Sequence, residues 1–208
     1  MLKTIRSAKG FTLVELAIVL VIIGIILGAV LKGQELVNNA KTKRLYQQYR
    51  EMYAAMYTYY DRYGLFPGDD TTAAARGGIW TGLTAGDGNG LIATGTTATA
   101  ANYACAATGA EQCDMWRELR LAGIISGSTA AGAASFRNPS HSYGGAIAVS
   151  YSTVSALTTN FIQFQNVPAE VCQIIDTQYD DGVQTTGDIR GSAAYTAGTI
   201  IPTLAIRF

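Results

Sequence analysis

The stretch SAKGFTLVELAIVLVIIGIILGAVLKG, residues 7–33, sets one acid, Glu15, near the start of an otherwise apolar run. From Leu16 to Leu31 no residue is charged or strongly polar. The 21 residues from 11 to 31 would extend about 30 Å as a helix, enough to cross the hydrocarbon core of a bilayer. Lys3, Arg6 and Lys9 precede the run with no acid among them, so the positive-inside tendency keeps that end cytoplasmic and places the residues after Lys32 outside the cytoplasm. A secreted chain's signal peptide would end at a small-residue cleavage site. Here the apolar run passes instead into Lys32-Gly33-Gln34-Glu35 and the helical pattern continues. A plain membrane anchor has no use for Glu15, whose charge costs roughly 2.5–3.5 kcal/mol near a bilayer centre and less near its edge.

Working outward, 208 residues with 49% hydrophobic and 14% charged side chains exclude a disordered chain and allow a packed core. Lysine plus arginine balance aspartate plus glutamate at 15 each. Without the first ten residues, 12 basic side chains face 15 acidic ones, and no clustered basic face is left for nucleic acid. An exported compartment permits disulfides among Cys105, Cys113 and Cys172.

The motif KGFTLVEL, residues 9–16, resembles the start of type IV pilins and their relatives, whose precursors carry a short basic leader ending in glycine before a long apolar helix. The resemblance implies cleavage by a prepilin peptidase between Gly10 and Phe11 and N-methylation of Phe11. It also implies a domain order of leader (1–10), long N-terminal helix (11–63, with 11–31 as membrane span or filament core) and extracytoplasmic globular head (64–208). Cleavage would create an ammonium group at Phe11, and a carboxylate four residues on should not stay unpaired in hydrocarbon. Glu15 of an incoming subunit could neutralise the Phe11 amino group of a neighbour, so the charge would penalise a lone subunit and favour an assembled one. Gly24 and Gly28 form a G-x-x-x-G. With Gly33 they are the candidate weak points of a helix that lacks the proline many type IV pilins carry after the apolar run.

After Lys32 the pattern becomes one-sided. Tyr46, Tyr49, Tyr53, Met56, Tyr60 and Tyr63 follow a 3-4-3-4-3 spacing, which predicts a packing stripe with hydroxyls at its rim. Arg44, Arg50, Glu51, Asp61 and Arg62 read as the solvated side. Gly64 and Pro67 should end the helix. Residues 71–110, rich in Thr, Ala and Gly, suggest a long surface loop with little core. EQCDMWRELRLAGII, from Glu111, predicts a short helix with Trp116 and Leu119 inward and Gly123 as its stop. VPAEVCQIIDTQYDDG predicts another, with Pro168 in the first turn, Gly182 at the end, and Val171, Cys172, Ile175 and Tyr179 on its apolar face. Alternation in AIAVSY, NFIQFQNV and TLAIRF predicts three or more antiparallel strands. The class is α+β, type IV pilin-like: a long N-terminal helix packed against a domain with an antiparallel sheet and short helices.

Cys105 and Cys113 enclose a short loop that closes at little entropic cost, whereas Cys172 on an apolar helix face behaves as a small hydrophobe. That favours Cys105–Cys113. Pilins commonly bracket a C-terminal region with a disulfide, so Cys113–Cys172 is the rival. GDGNG, residues 86–90, offers Asp87 and Asn89 as oxygen ligands but lacks the rest of an EF-hand, including the distal glutamate. It reads as a glycine-rich turn, and Asp180-Asp181-Gly182 as a helix end. His141 is the only histidine, which leaves no zinc set and no nucleophile–base pair. No metal, cofactor or catalytic residue is expected.

The function expected from the resemblance is a structural subunit of a type IV pilus serving adhesion, motility or DNA uptake. Such a fimbrial subunit of a Gram-negative cell would wait in the inner membrane and then polymerise into a surface filament. Its partners would be further copies of itself, minor pilins, the prepilin peptidase and the inner-membrane assembly machinery, with no nucleic acid. Two alternatives stand beside it: a pseudopilin of a type II secretion system, and a membrane-anchored extracytoplasmic binding domain.

Overall fold

A computed structural model describes residues 10–208; Lys3, Arg6 and Lys9 of the expected leader lie outside the described residues. The chain divides into two units, residues 1–41 and 42–208. Helix α1 (Leu13–Tyr63) contributes to both.

In the first unit every described residue of α1 is exposed. Leu13, Leu20 and Ile25 present 87%, 69% and 68% of their surface, on all sides of the helix. An all-round apolar helix needs an apolar surrounding, and α1 is the one described helix long and apolar enough to cross a membrane. It runs without interruption through Gly24, Gly28 and Gly33.

In the second unit α1 turns one-sided, with Thr42, Leu45, Met52, Ala55, Met56 and Tyr59 buried. This corrects the expected stripe. The true packing line shares Tyr46, Tyr49, Met56 and Tyr63 with it but is rotated by about one position, so Tyr53 and Tyr60 are 40% and 43% exposed. Spacing alone fixes a stripe's period and leaves its centre open. The compact Leu45, Met52 and Ala55 lie in the core, while the half-exposed Tyr53 and Tyr57 lie against one another at 4.7 Å between ring centroids. Burying Leu45 and Met56 completely is worth about 1.5–3 kcal/mol each. The helix stops where expected, at Gly64 with φ +81°, its amide bonded back to the Tyr60 carbonyl at 2.7 Å.

Besides two short 3-10 helices (Ala74–Arg76 and Gly78–Trp80), the remaining elements are α2 (Glu111–Leu121), α3 (Ala133–Phe136), β1 (Ile147–Val154), β2 (Leu157–Pro168), α4 (Ala169–Tyr179), β3 (Ile189–Gly191) and β4 (Ile200–Arg207). The four strands form an antiparallel sheet in the order β1-β2-β4-β3. β-branched and aromatic side chains line up across it in two rows: Val149, Ile162, Ile206 and Ile189, and Ile147, Phe164 and Leu204. Both rows belong to the main core with Met56, Tyr59, Trp116 and Leu119. The class is α+β, as the alternation and helix signals imply. β3 carries no such alternation over its three residues.

Residues 71–110 correct a second expectation. Leu83, Ile92, Ala93 and Cys105 are buried, and the segment covers the β1 edge: the Tyr151 amide donates to the Ile92 carbonyl and the Thr99 amide to the Tyr151 carbonyl, each at 2.9 Å. An edge strand needs its outward backbone groups satisfied, and this loop satisfies them. α2 is also buried beyond its predicted face, with Arg117, Glu118 and Arg120 inside. Arg117 donates to the Thr81 carbonyl at 2.8 Å and Arg120 to the carbonyls of Ser135 and Arg137. In α4, Val171, Cys172 and Ile175 are buried but Tyr179 is 42% exposed, stacked on Tyr46 with centroids 3.5 Å apart. Pro168 ends β2 and caps α4 rather than entering its first turn.

Candidate functional site

The apolar helix begins with a Thr-Leu-Val-Glu box. Thr12 precedes the first helical residue, and its hydroxyl accepts the Glu15 amide at 3.2 Å. The Glu15 carboxylate accepts in return the Thr12 amide at 2.8 Å and the Thr12 hydroxyl at 2.9 Å, both on Oε2. Two amides that a helix start leaves without partners are thereby satisfied. The S/T-x-x-E spacing is legible in residues 12–15, yet the charge argument assigns Glu15 a partner in another chain only. Phe11 is 83% exposed and Gly10 is exposed beside it. Added Cβ atoms at Gly24, Gly28 and Gly33 would meet nothing within 4 Å, so these glycines leave shallow, open places on the helix surface.

In the head, Cys105 and Cys113 form a disulfide with Cα atoms 5.3 Å apart, and Cys172 is a buried free thiol. The bridge ties the loop over the β1 edge to the first turn of α2. His141 is 5% exposed and lies 2.7 Å from the Gln165 carbonyl through Nε2. Its Nδ1 accepts the Tyr143 amide, so Nε2 carries the proton; burial holds its pKa below the usual value. Asp70 is fully buried, and its carboxylate accepts from Tyr59 Oη at 2.8 Å, from the Thr72 amide and hydroxyl, and from Arg76. The Arg76 guanidinium also covers the Tyr63 ring at 4.0 Å. Burial pushes the Glu118 carboxyl up to about 8, against the Gly68 amide that it accepts. These groups are held by backbone and by one another, which is the behaviour of a scaffold.

Residues 5–31 match the family model of the prokaryotic N-terminal methylation motif. Together with the long N-terminal apolar helix, the motif fits a type IV pilin- or prepilin-like protein. No curated protein and no solved structure matches the chain. In a prepilin-like chain the motif marks a substrate of the pilin or pseudopilin type. It implies processing by a prepilin peptidase and handling by pilus or pseudopilus assembly machinery. With the apolar part of α1 it fits an inner-membrane precursor. Proteins of the pilin type are structural.

Proposed function

We propose that the chain is the structural subunit of a type IV pilus. The peptidase cuts between Gly10 and Phe11, the new Phe11 amino group is methylated, residues 11–31 hold the subunit in the inner membrane, and subunits then polymerise through this helix into a surface filament. Residues 64–208 are the extracytoplasmic head. The observation that carries the reading is the position of Glu15, the one charged side chain from Phe11 to Leu31 in a run that is apolar but for Thr12 and Glu15 and exposed throughout. In the filament Glu15 pairs with the Phe11 amino group of a neighbouring copy, and the glycines at 24, 28 and 33 are where the helix loosens as copies pack. The extended loop over the sheet edge and its disulfide favour a surface filament over a secretion pseudopilus.

Electron microscopy of sheared surface material, with mass analysis of its subunit, tests this. Filaments whose subunit has the mass of residues 11–208 plus one methyl group are expected. An uncut chain without filaments would overturn the reading, and processed subunits confined to the periplasm would move it to a pseudopilin.

A further inference from the structure

Three acids distant in sequence meet in the head: Asp69 in the turn after α1, Asp87 in the GDGNG loop and Glu111 in the first turn of α2. One carboxylate oxygen from each lies within 4.8 Å of the other two. The approach depends on glycine. A Cβ at Gly86 would fall 2.2 Å from the Asp69 carbonyl carbon, and one at Gly68 would fall 2.3 Å from the Glu111 carbonyl oxygen. Asp69 is fully buried and held in place by the amides of Gly88, Asn89 and Gly90 at 2.6, 3.0 and 2.8 Å. Asp87 is exposed at the mouth.

Three carboxylates at this separation repel, and among the described residues no lysine or arginine forms an ion pair with any of them. The independent sign of a missing partner is Glu111. It is 6% exposed, its Oε1 accepts the Asp87 amide at 3.2 Å, the Ala93 amide also acts on the carboxylate, and its Oε2 is buried without a hydrogen bond of good geometry. A buried carboxylate oxygen without a well-placed donor, beside two more carboxylates, lacks a positive charge. We propose that Asp69, Asp87 and Glu111 bind a calcium ion. Two oxygens bound to one calcium at about 2.3–2.6 Å lie at most about 5 Å apart, which this spacing satisfies. An all-oxygen set with one solvent-facing member suits a hard, flexibly coordinated ion better than magnesium, which demands a tight octahedron, or zinc, which takes nitrogen and sulfur. The ion would fasten the GDGNG loop to the start of α2. The inference stands whether or not the chain polymerises, since all three ligands belong to the head.

The test is calorimetric titration of calcium chloride into the full chain in detergent micelles after chelator treatment, with Tm measured alongside. One ion per chain with a Kd on the order of 0.1–1 mM, the range of extracellular calcium modules, is expected, together with a rise in Tm. Asp87→Asn should weaken binding at least about tenfold, as removal of one charged ligand does, and Glu111→Gln should abolish it. Asp87 is exposed, so its variant folds even if the Glu111 variant does not. No calcium-dependent heat, an equal response to magnesium, or wild-type affinity in Asp87→Asn would overturn the assignment. Loss of binding in Asp181→Asn alone would overturn it also, by moving the ion to the acids at the end of α4.

Discussion

Thr12 and Glu15 bond reciprocally across the first turn of α1, amide to carboxylate at 2.8 Å and amide to hydroxyl at 3.2 Å. Glu15 therefore has a local partner before any second copy arrives, and two roles compete for one side chain. A cap is worth about 0.5–2 kcal/mol, whereas an unneutralised charge costs roughly 2.5–3.5 kcal/mol at a bilayer centre and less toward the edge, where Glu15 lies. The two quantities overlap, so a substitution that keeps the cap and removes the charge decides between them.

Glu15→Gln separates the two roles, because glutamine closes the same box without a charge. If the charge drives subunit pairing, Glu15→Gln and Glu15→Ala both export and lose filaments by at least about tenfold, with roughly a hundredfold loss as the bilayer-centre limit of the charge penalty. Immunoblots of membranes and of sheared filaments read both quantities. Normal filaments from Glu15→Gln with none from Glu15→Ala would assign Glu15 to the cap alone.

The Cys105–Cys113 bridge closes a loop of sequence separation 8, and chain entropy assigns such a loop about 2–3 kcal/mol. Cys113→Ser should lower the stability measured by urea unfolding by that amount, and Cys172→Ala, which removes one buried sulfur from the core, by less. A larger loss from Cys172→Ala would mean that packing around α4 outweighs the bridge.

Gly145 lies where β1 begins. Its Cβ would sit 2.0 Å from the Gln165 carbonyl oxygen and 2.5 Å from His141 Nε2, and the first of these is backbone that cannot swing aside. Gly145→Ala should destabilise the head by about 1–3 kcal/mol, the range for overpacking, and break the His141–Gln165 contact. Unchanged thermal stability would show that β2 yields at this point.

Much of this was legible because period and punctuation are local. Gly64, Gly123 and the alternation in NFIQFQNV marked real boundaries, and the short loop between Cys105 and Cys113 favoured the right pair. What escaped was relational. The centre of the tyrosine stripe depends on which side chains the sheet can accommodate beneath Leu45 and Met52. The buried part of residues 71–110 depends on an edge strand that needs covering. Asp69 and Glu111 carried no signal as a pair because they lie 42 positions apart in the sequence and meet only through close approaches at Gly68 and Gly86. The Thr12–Glu15 box was readable from four residues but was overshadowed by the cost of the charge.

Glu118 gives the head a pH dependence of defined sign. The side chain is fully buried, its Oε2 accepts the Gly68 amide at 2.8 Å, and its Oε1 has no partner, so burial raises the carboxyl from the usual 4.5 to about 8. A raised acid is protonated in the folded head at neutral pH while the unfolded chain has already lost that proton. Its contribution is fully present below 4.5 and is lost as pH rises to about 8, at about 1.4 kcal/mol per pH unit inside that window at most. Glu118→Gln keeps an acceptor for Gly68 and cannot ionise, so stability from urea unfolding at about pH 5, 6.5 and 8 should fall less steeply in the variant than in the wild type. Parallel slopes in the two proteins would mean that Glu118 is charged in the folded head and that its environment is more polar than its burial indicates.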